Sequence, residues 1–84
     1  MLLFVAINLN PKDQYSFYYK GCSYYFQDKY IEAIKHFDSA IKLNPKDSDY
    51  FYYRGLSYYK QDKEEEAIED FDSAIKLNPE DQYS

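Results

Sequence analysis

Apolar residues recur along this chain at the three- and four-residue intervals that place side chains on one face of an α-helix. Between Tyr30 and Ile41 the apolar positions are 30, 33, 34, 37, 40 and 41, which predicts an amphipathic helix. Phe17, Gly21 and Tyr24 form a second, narrower face of the same kind. Apolar and polar residues do not alternate cleanly anywhere, so no strand is predicted and the fold class is expected to be all-α.

Proline and aspartate mark where the helices should end and begin. Asn10 and Asn44 each precede a proline, and that position disfavours the α conformation. The carboxylates expected to cap the helices that follow are Asp13, Asp28, Asp47 and Asp62. The predicted helices span residues 2–9, 14–26, 29–43, 48–60 and 63–77. Links of only three or four residues predict antiparallel helical hairpins.

The pattern repeats with a period of 34 residues. Residues 10–43 align without a gap with residues 44–77, and the two segments differ at ten positions. Such a period is typical of a repeat architecture. Residues 6–16 also resemble residues 74–84, so the chain is expected to begin near the end of one repeat and to stop just inside another. One domain, 1–84, is predicted, with a partial helix at 2–9, repeats at 10–43 and 44–77, and a tail at 78–84.

These residues resemble the tetratricopeptide repeat (TPR) pattern, a helix–turn–helix of 34 residues. The positions that carry the resemblance are Phe17, Gly21, Tyr24, Ala33, Phe37, Ala40 and Pro45, and then Phe51, Gly55, Tyr58, Ala67, Phe71, Ala74 and Pro79. The resemblance implies a helix–turn–helix solenoid with a right-handed superhelical twist. The glycines are expected where the two helices of a hairpin come closest. Phe17 and Phe51 replace the family's Trp. Lys20 and Arg54 replace its Leu, and their charged heads are expected to lie in water.

The resemblance also implies a concave groove, lined by the first helix of each repeat, that holds extended peptides or helices. The candidate peptide-binding residues lie about 100° round from the core face, and they are Tyr15, Tyr18, Cys22, Tyr25, Asp49, Tyr52, Leu56 and Tyr59. Tyrosine combines a rigid apolar ring with a polar tip, which suits a contact surface. The same rings can equally serve to pack helix on helix. The Lys and Asn side chains with which some family members clamp a terminal carboxylate are absent from this face, so that activity is not expected.

Composition and charge narrow the class of partner. The chain has 84 residues and a net charge of −5 with no basic cluster, which argues against nucleic-acid and anionic-membrane partners. Twelve tyrosines and six phenylalanines supply an unusually large aromatic fraction of 21%. The apolar run at 2–7 is too short for a membrane span and lacks the basic flank of an export signal. This favours an intracellular chain, or a fragment of a longer one.

Residue types that carry chemistry are few. His36, the single histidine, is expected to be solvated, and no metal ligand set surrounds it. Cys22 is the single cysteine, which excludes an internal disulfide, and Leu56 at the matching position favours an apolar filler over a reactive thiol. An acidic face, expected to be solvated, comprises Glu64, Glu65, Glu66, Glu69, Asp70 and Asp72. No catalytic constellation, metal site or cofactor site is predicted, so the chain is expected not to be an enzyme.

Two functions therefore remain open. The leading one is a protein-interaction scaffold that binds a peptide or helix in the aromatic groove. The alternative is a structural unit that forms homo-oligomers through its open ends, because about three repeats of this kind are needed for independent stability. On that ground the free chain is predicted not to remain a simple monomer. An RNA-binding helical repeat is opposed by the acidic balance.

Overall fold

A computed structural model describes residues 13–79 of the chain. Within this range the chain forms four α-helices, α1 (Gln14–Phe26), α2 (Tyr30–Leu43), α3 (Ser48–Lys60) and α4 (Glu64–Leu77), and contains no strand. The predicted all-α fold class is confirmed. The helix ends agree with the sequence pattern, except that α2 and α4 each begin one residue later. The predicted helix at 2–9 lies outside the described residues.

The helices pack as two stacked hairpins. α1 packs on α2 and α3 packs on α4, while α2 joins the hairpins by packing on α3, which also touches α1. The buried core lies along this stack, and its apolar members are Ala33, Phe37, Ala40, Tyr50 and Ala67. The architecture is the helix–turn–helix solenoid that the repeat predicts.

The two glycines lie where the paired helices approach most closely. A Cβ atom added to Gly21 would come within 2.6 Å of Phe37 Cε1, and one added to Gly55 within 2.8 Å of Phe71 Cε1. Real Cβ atoms are not found at such distances from a ring. The predicted role of both glycines, to admit the aromatic ring of the facing helix, is confirmed.

Two of the four predicted caps are confirmed. Asp13 Oδ1 accepts a hydrogen bond from the Tyr15 amide at 2.9 Å, and Asp47 Oδ1 accepts one from the Asp49 amide at 3.0 Å. Each carboxylate satisfies an amide that has no acceptor inside the first turn of its helix. α2 ends as predicted at Leu43, because Asn44 before Pro45 is extended, with φ −148° and ψ 90°.

Asp28 and Asp62 do not cap helices, and this part of the prediction is wrong. Both have φ 63°, in the left-handed region, and helices α2 and α4 start after Lys29 and Lys63 without a side-chain cap. The Asp28 amide donates to Tyr25 O at 3.0 Å, so the residue closes α1 rather than opening α2. A three-residue link must reverse the chain at once, and Asp tolerates the left-handed conformation that this requires.

Candidate functional site

The eight residues of the predicted groove differ in how far they are exposed. Tyr15, Tyr52 and Tyr59 expose 51%, 46% and 57% of their surface, and Asp49 is also exposed. Tyr18, Cys22, Tyr25 and Leu56 are half-buried. The first hairpin therefore keeps most of its share of the stripe against neighbouring helices, whereas the second hairpin presents most of its share to solvent.

Tyr18 lies at the centre of the contact between the two hairpins. Its ring centroid is 5.0 Å from that of Tyr50, 6.0 Å from that of Tyr53 and 6.2 Å from that of Phe37. Tyr25 lies 5.9 Å from Tyr53 in the same way. Burial raises the pKa of both phenols above the ordinary value, so they are neutral near pH 7. These two rings pack helix on helix.

The second hairpin carries an open groove between α3 and α4, called here the end groove. It has a volume of about 650 Å³ and is lined by Ser48, Asp49, Tyr52, Leu56, Phe71, Ala74, Ile75 and Asn78. Three predicted site residues, Asp49, Tyr52 and Leu56, meet here, while Tyr59 lies outside the lining. The α4 half of the groove was not among the predicted site residues. The 34-residue period is the signal that finds it, because Ala40, the counterpart of Ala74, is fully buried under α3.

The matching groove of the first hairpin, called here the filled groove, contains α3. The Tyr50 hydroxyl donates to Gln14 Oε1 at 2.7 Å, and Asn44 Nδ2 donates to the same oxygen at 2.7 Å. Only 1% of the Tyr50 surface is exposed. A helix seated in this type of groove thus buries a tyrosine ring and still satisfies its hydroxyl.

Arg54 connects three helices at the edge of the filled groove. Its Nε and Nη2 atoms donate to the two carboxylate oxygens of Asp70 at 2.8 and 2.7 Å, and Nη1 donates to Asp38 Oδ1 at 2.8 Å. Hydrogen bonding to Asp70 raises the already high pKa of the guanidinium. The expectation that the Arg54 head lies in water is therefore wrong. Asp70, predicted on a solvated face, is buried, because its helix turns it toward the guanidinium.

The helical hairpins, their glycine contacts and their period agree with a comparison against known protein families. The tetratricopeptide repeat model matches residues 18–82. The chain belongs to the tetratricopeptide repeat family. No curated protein matches the sequence closely enough to add a relative. TPR domains generally mediate interactions between proteins, and their repeats are non-catalytic scaffolds.

Cys22 and His36 sit within the TPR framework without forming a reactive group. Burial raises the pKa of the Cys22 thiol, which keeps it protonated and weakly nucleophilic. His36 is half-buried, with its ring 5.2 Å from Tyr24 at an interplanar angle of 8° and 6.3 Å from Phe17. The prediction that His36 is solvated is wrong, because the wide face of α1 aromatics reaches over it. In the second repeat Asp70 occupies the same position.

Two kinds of site are absent from the described part of the TPR domain. Residues 13–79 contain no group of three or more His, Cys, Asp or Glu side chains arranged to hold a metal ion. Among the same residues no helix is long and apolar enough to cross a membrane.

Proposed function

We propose that this TPR domain is a protein-interaction scaffold that binds a peptide or helix in its aromatic concave groove. The residues assigned to binding are Tyr15, Tyr18, Cys22, Tyr25, Asp49, Tyr52, Leu56 and Tyr59. The partner is a protein or peptide rather than nucleic acid or membrane, because the domain carries a net charge of −5. No catalytic role, metal or cofactor is part of the proposal.

The observation that carries the proposal is the end groove. Tyr52 and Phe71 pack against each other, with ring centroids 5.9 Å apart, and Leu56, Ala74 and Ile75 extend the apolar lining. Large apolar side chains that stay exposed next to one another mark surfaces that bind other molecules. Tyr52 and Asp49 add a polar edge that can orient a ligand.

A helix is favoured over an extended peptide as the ligand. The filled groove has the same lining positions as the end groove, and α3 occupies it with Tyr50 and Tyr53 against Tyr18. The domain itself therefore provides a helix of suitable shape. A labelled synthetic peptide with the sequence of residues 46–62, which contains α3, is the natural probe.

The test is fluorescence anisotropy of this peptide titrated with the full chain. Saturable binding is expected, and Tyr52→Ala should weaken it about 30-fold, since truncating an aromatic anchor costs about 2 kcal/mol. Ile31→Ala removes an exposed apolar side chain of α2 outside the groove and should leave affinity unchanged. Equal affinity in alanine variants of Tyr18, Tyr25, Tyr52 and Tyr59 would rule out the groove, and no saturable binding would rule out an α3-like helix as its ligand.

The second candidate function is self-assembly into homo-oligomers through the ends of the stack. It is favoured by the position of the end groove on the face where a third hairpin would pack, since apolar repeats bury their faces only by stacking. Light scattering across a wide dilution range should show a mass above 10.1 kDa at high concentration. A monomer mass at millimolar protein would exclude this candidate and leave ligand binding.

A further inference from the structure

The contact that fills the groove of the first hairpin uses a short set of side chains on one face of α3. Tyr50 enters the groove beside Tyr18, Tyr53 lies 6.2 Å from Phe37, and Arg54 pairs with Asp38 at 2.8 Å. Ser57, one turn further on, is fully buried because its small side chain fits below the helix. An aromatic ring, the following cation and a serine four residues after the ring thus define what this groove accepts.

The end groove offers the counterparts of these receiving positions. Tyr52, Phe71 and Asp72 stand 34 residues after Tyr18, Phe37 and Asp38. Asp72 is exposed, and within residues 13–79 no cation lies within ion-pair distance of it. The end groove therefore has both the apolar floor and the acidic edge with which the filled groove holds Tyr53 and Arg54.

Helix α1 carries the complementary side chains on a face that its own hairpin leaves exposed. Tyr19, Lys20 and Ser23 repeat the spacing of Tyr53, Arg54 and Ser57. Tyr19 exposes 65% of its surface, and Lys20 and Ser23 are exposed as well. Ser16 takes the place of Tyr50, so α1 lacks one of the two rings that α3 inserts.

We propose that the end groove of one copy of this chain receives α1 of a second copy, with Tyr19 against Phe71 and Lys20 paired with Asp72. This proposal rests on the self-assembly candidate and assigns its contact. The same copy cannot fill its own groove, because the Gly21–Phe37 contact holds α1 on α2, whereas the groove is formed by α3 and α4.

The geometry of the contact determines the assembly that it produces. The donor face on α1 and the receiving groove between α3 and α4 are different surfaces, so the contact is heterologous and repeats from copy to copy. The stack is therefore open unless it closes into a ring. Because Ser16 replaces Tyr50, the contact buries less aromatic surface than the internal one and is expected to be reversible on dilution.

Charge reversal at Lys20 and Asp72 tests the pairing, with sedimentation velocity of the full chain as the measurement. Lys20→Glu and Asp72→Lys should each weaken self-association about tenfold or more, since each replaces an attraction with a repulsion. The doubly substituted chain should associate again. Lys35→Glu and Glu69→Lys are matched controls, because they change the charge of exposed positions by the same amount outside the contact, and they should associate like the original chain.

A mixture of the two single variants gives the sharpest outcome. Within either variant alone, the two side chains of the proposed pair carry charges of the same sign, so its copies repel one another at the contact. In the mixture, every contact between unlike chains joins opposite charges, because each variant is reversed on one side only. The mixture should therefore associate about as strongly as the original chain, whereas each variant alone stays largely monomeric. Circular dichroism of each variant confirms its helicity, and Tyr19→Ala provides a second, uncharged disruption if a charge variant does not fold.

The outcomes separate this proposal from the functions on which it rests. A monomeric original chain at millimolar concentration overturns both the pairing and self-assembly. Association that neither charge reversal nor Tyr19→Ala weakens overturns the pairing and leaves self-assembly through another contact. A mixture that associates no better than the separate single variants overturns the pairing as well. Binding of the 46–62 peptide is measured at dilute, monomeric protein, so ligand binding stands or falls independently of these results.

Discussion

The two hairpins have nearly the same sequence, but their grooves are used differently. In the first hairpin the groove between α1 and α2 is filled by α3, and Phe37 on its floor is fully buried. In the second hairpin the groove between α3 and α4 is open, and its Phe71 is only half-buried. The same residue thus acts as a core side chain in one repeat and as part of a docking surface in the other. Position in the stack decides which role it takes.

Alkaline pH is expected to have the largest effect on this comparison, because it acts on several tyrosines of the filled groove together. Burial raises the pKa of Tyr18, Tyr25, Tyr50 and Tyr53 above the ordinary value of 10.0. In the unfolded chain these phenols lose their protons near pH 10, so above that pH the unfolded state binds fewer protons than the folded state. The stabilisation is complete below about pH 10 and is lost as the pH rises toward the folded-state pKa values.

Urea unfolding followed by circular dichroism at a series of pH values measures this loss. Tyr53→Phe removes one of the shifted groups and should make the decline above about pH 10 shallower. An unfolding midpoint that stays constant from about pH 8 to about pH 12 would contradict the linkage.

The next largest effect is expected from removing the same ring in each hairpin. Phe37→Ala should lower the free energy of unfolding by about 3–5 kcal/mol, because it leaves a cavity in a fully buried site. Phe71→Ala should cost about 1–3 kcal/mol, since part of this ring already contacts solvent. The measurement is urea unfolding of dilute protein. Equal losses in the two variants would show that the end groove is covered in solution.

The ion pairs of Arg54 should produce an effect of about 3 kcal/mol or more. Arg54→Ala leaves the buried Asp70 carboxylate without its cation and removes the link to Asp38, which together join three helices. Lys20→Ala is the matched control in the first repeat, where the exposed lysine has no ion pair, and it should change stability by less than about 0.5 kcal/mol. Thermal unfolding compares the two. Similar melting temperatures would mean that the Asp70 pair adds no net stability.

The smallest expected effect comes from single hydroxyl groups. Tyr50→Phe removes the hydrogen bond to Gln14 and should lower stability by about 1 kcal/mol. Tyr52→Phe makes the same chemical change on a half-exposed ring of the end groove and should have almost no effect on the free monomer. If the Tyr52 variant lost as much stability as the Tyr50 variant, the two grooves would not differ in cover.

Much of the fold follows from the sequence because the forces that set it are local. Asn44-Pro45 ends α2, Asp13 and Asp47 cap the helices that follow them, and Gly21 and Gly55 mark the close approaches. Each of these depends on neighbours within a few residues or on the period of the repeat. The same argument placed Tyr52, Leu56 and Asp49 on one face, and they do line one groove.

Where one helix packs on another decided the remaining features. Asp70 and Arg54 are 16 positions apart, and only the packing of α4 on α3 brings the carboxylate within 2.7 Å of the guanidinium. The same packing seals Tyr18 beneath α3 while Tyr52, on the matching face of the next repeat, remains half-exposed. Helical periodicity reports which side chains share a face, but the burial and charge pairing of that face depend on the helix that covers it. In this domain α3 covers one groove, and residues 13–79 contain no helix that covers the other.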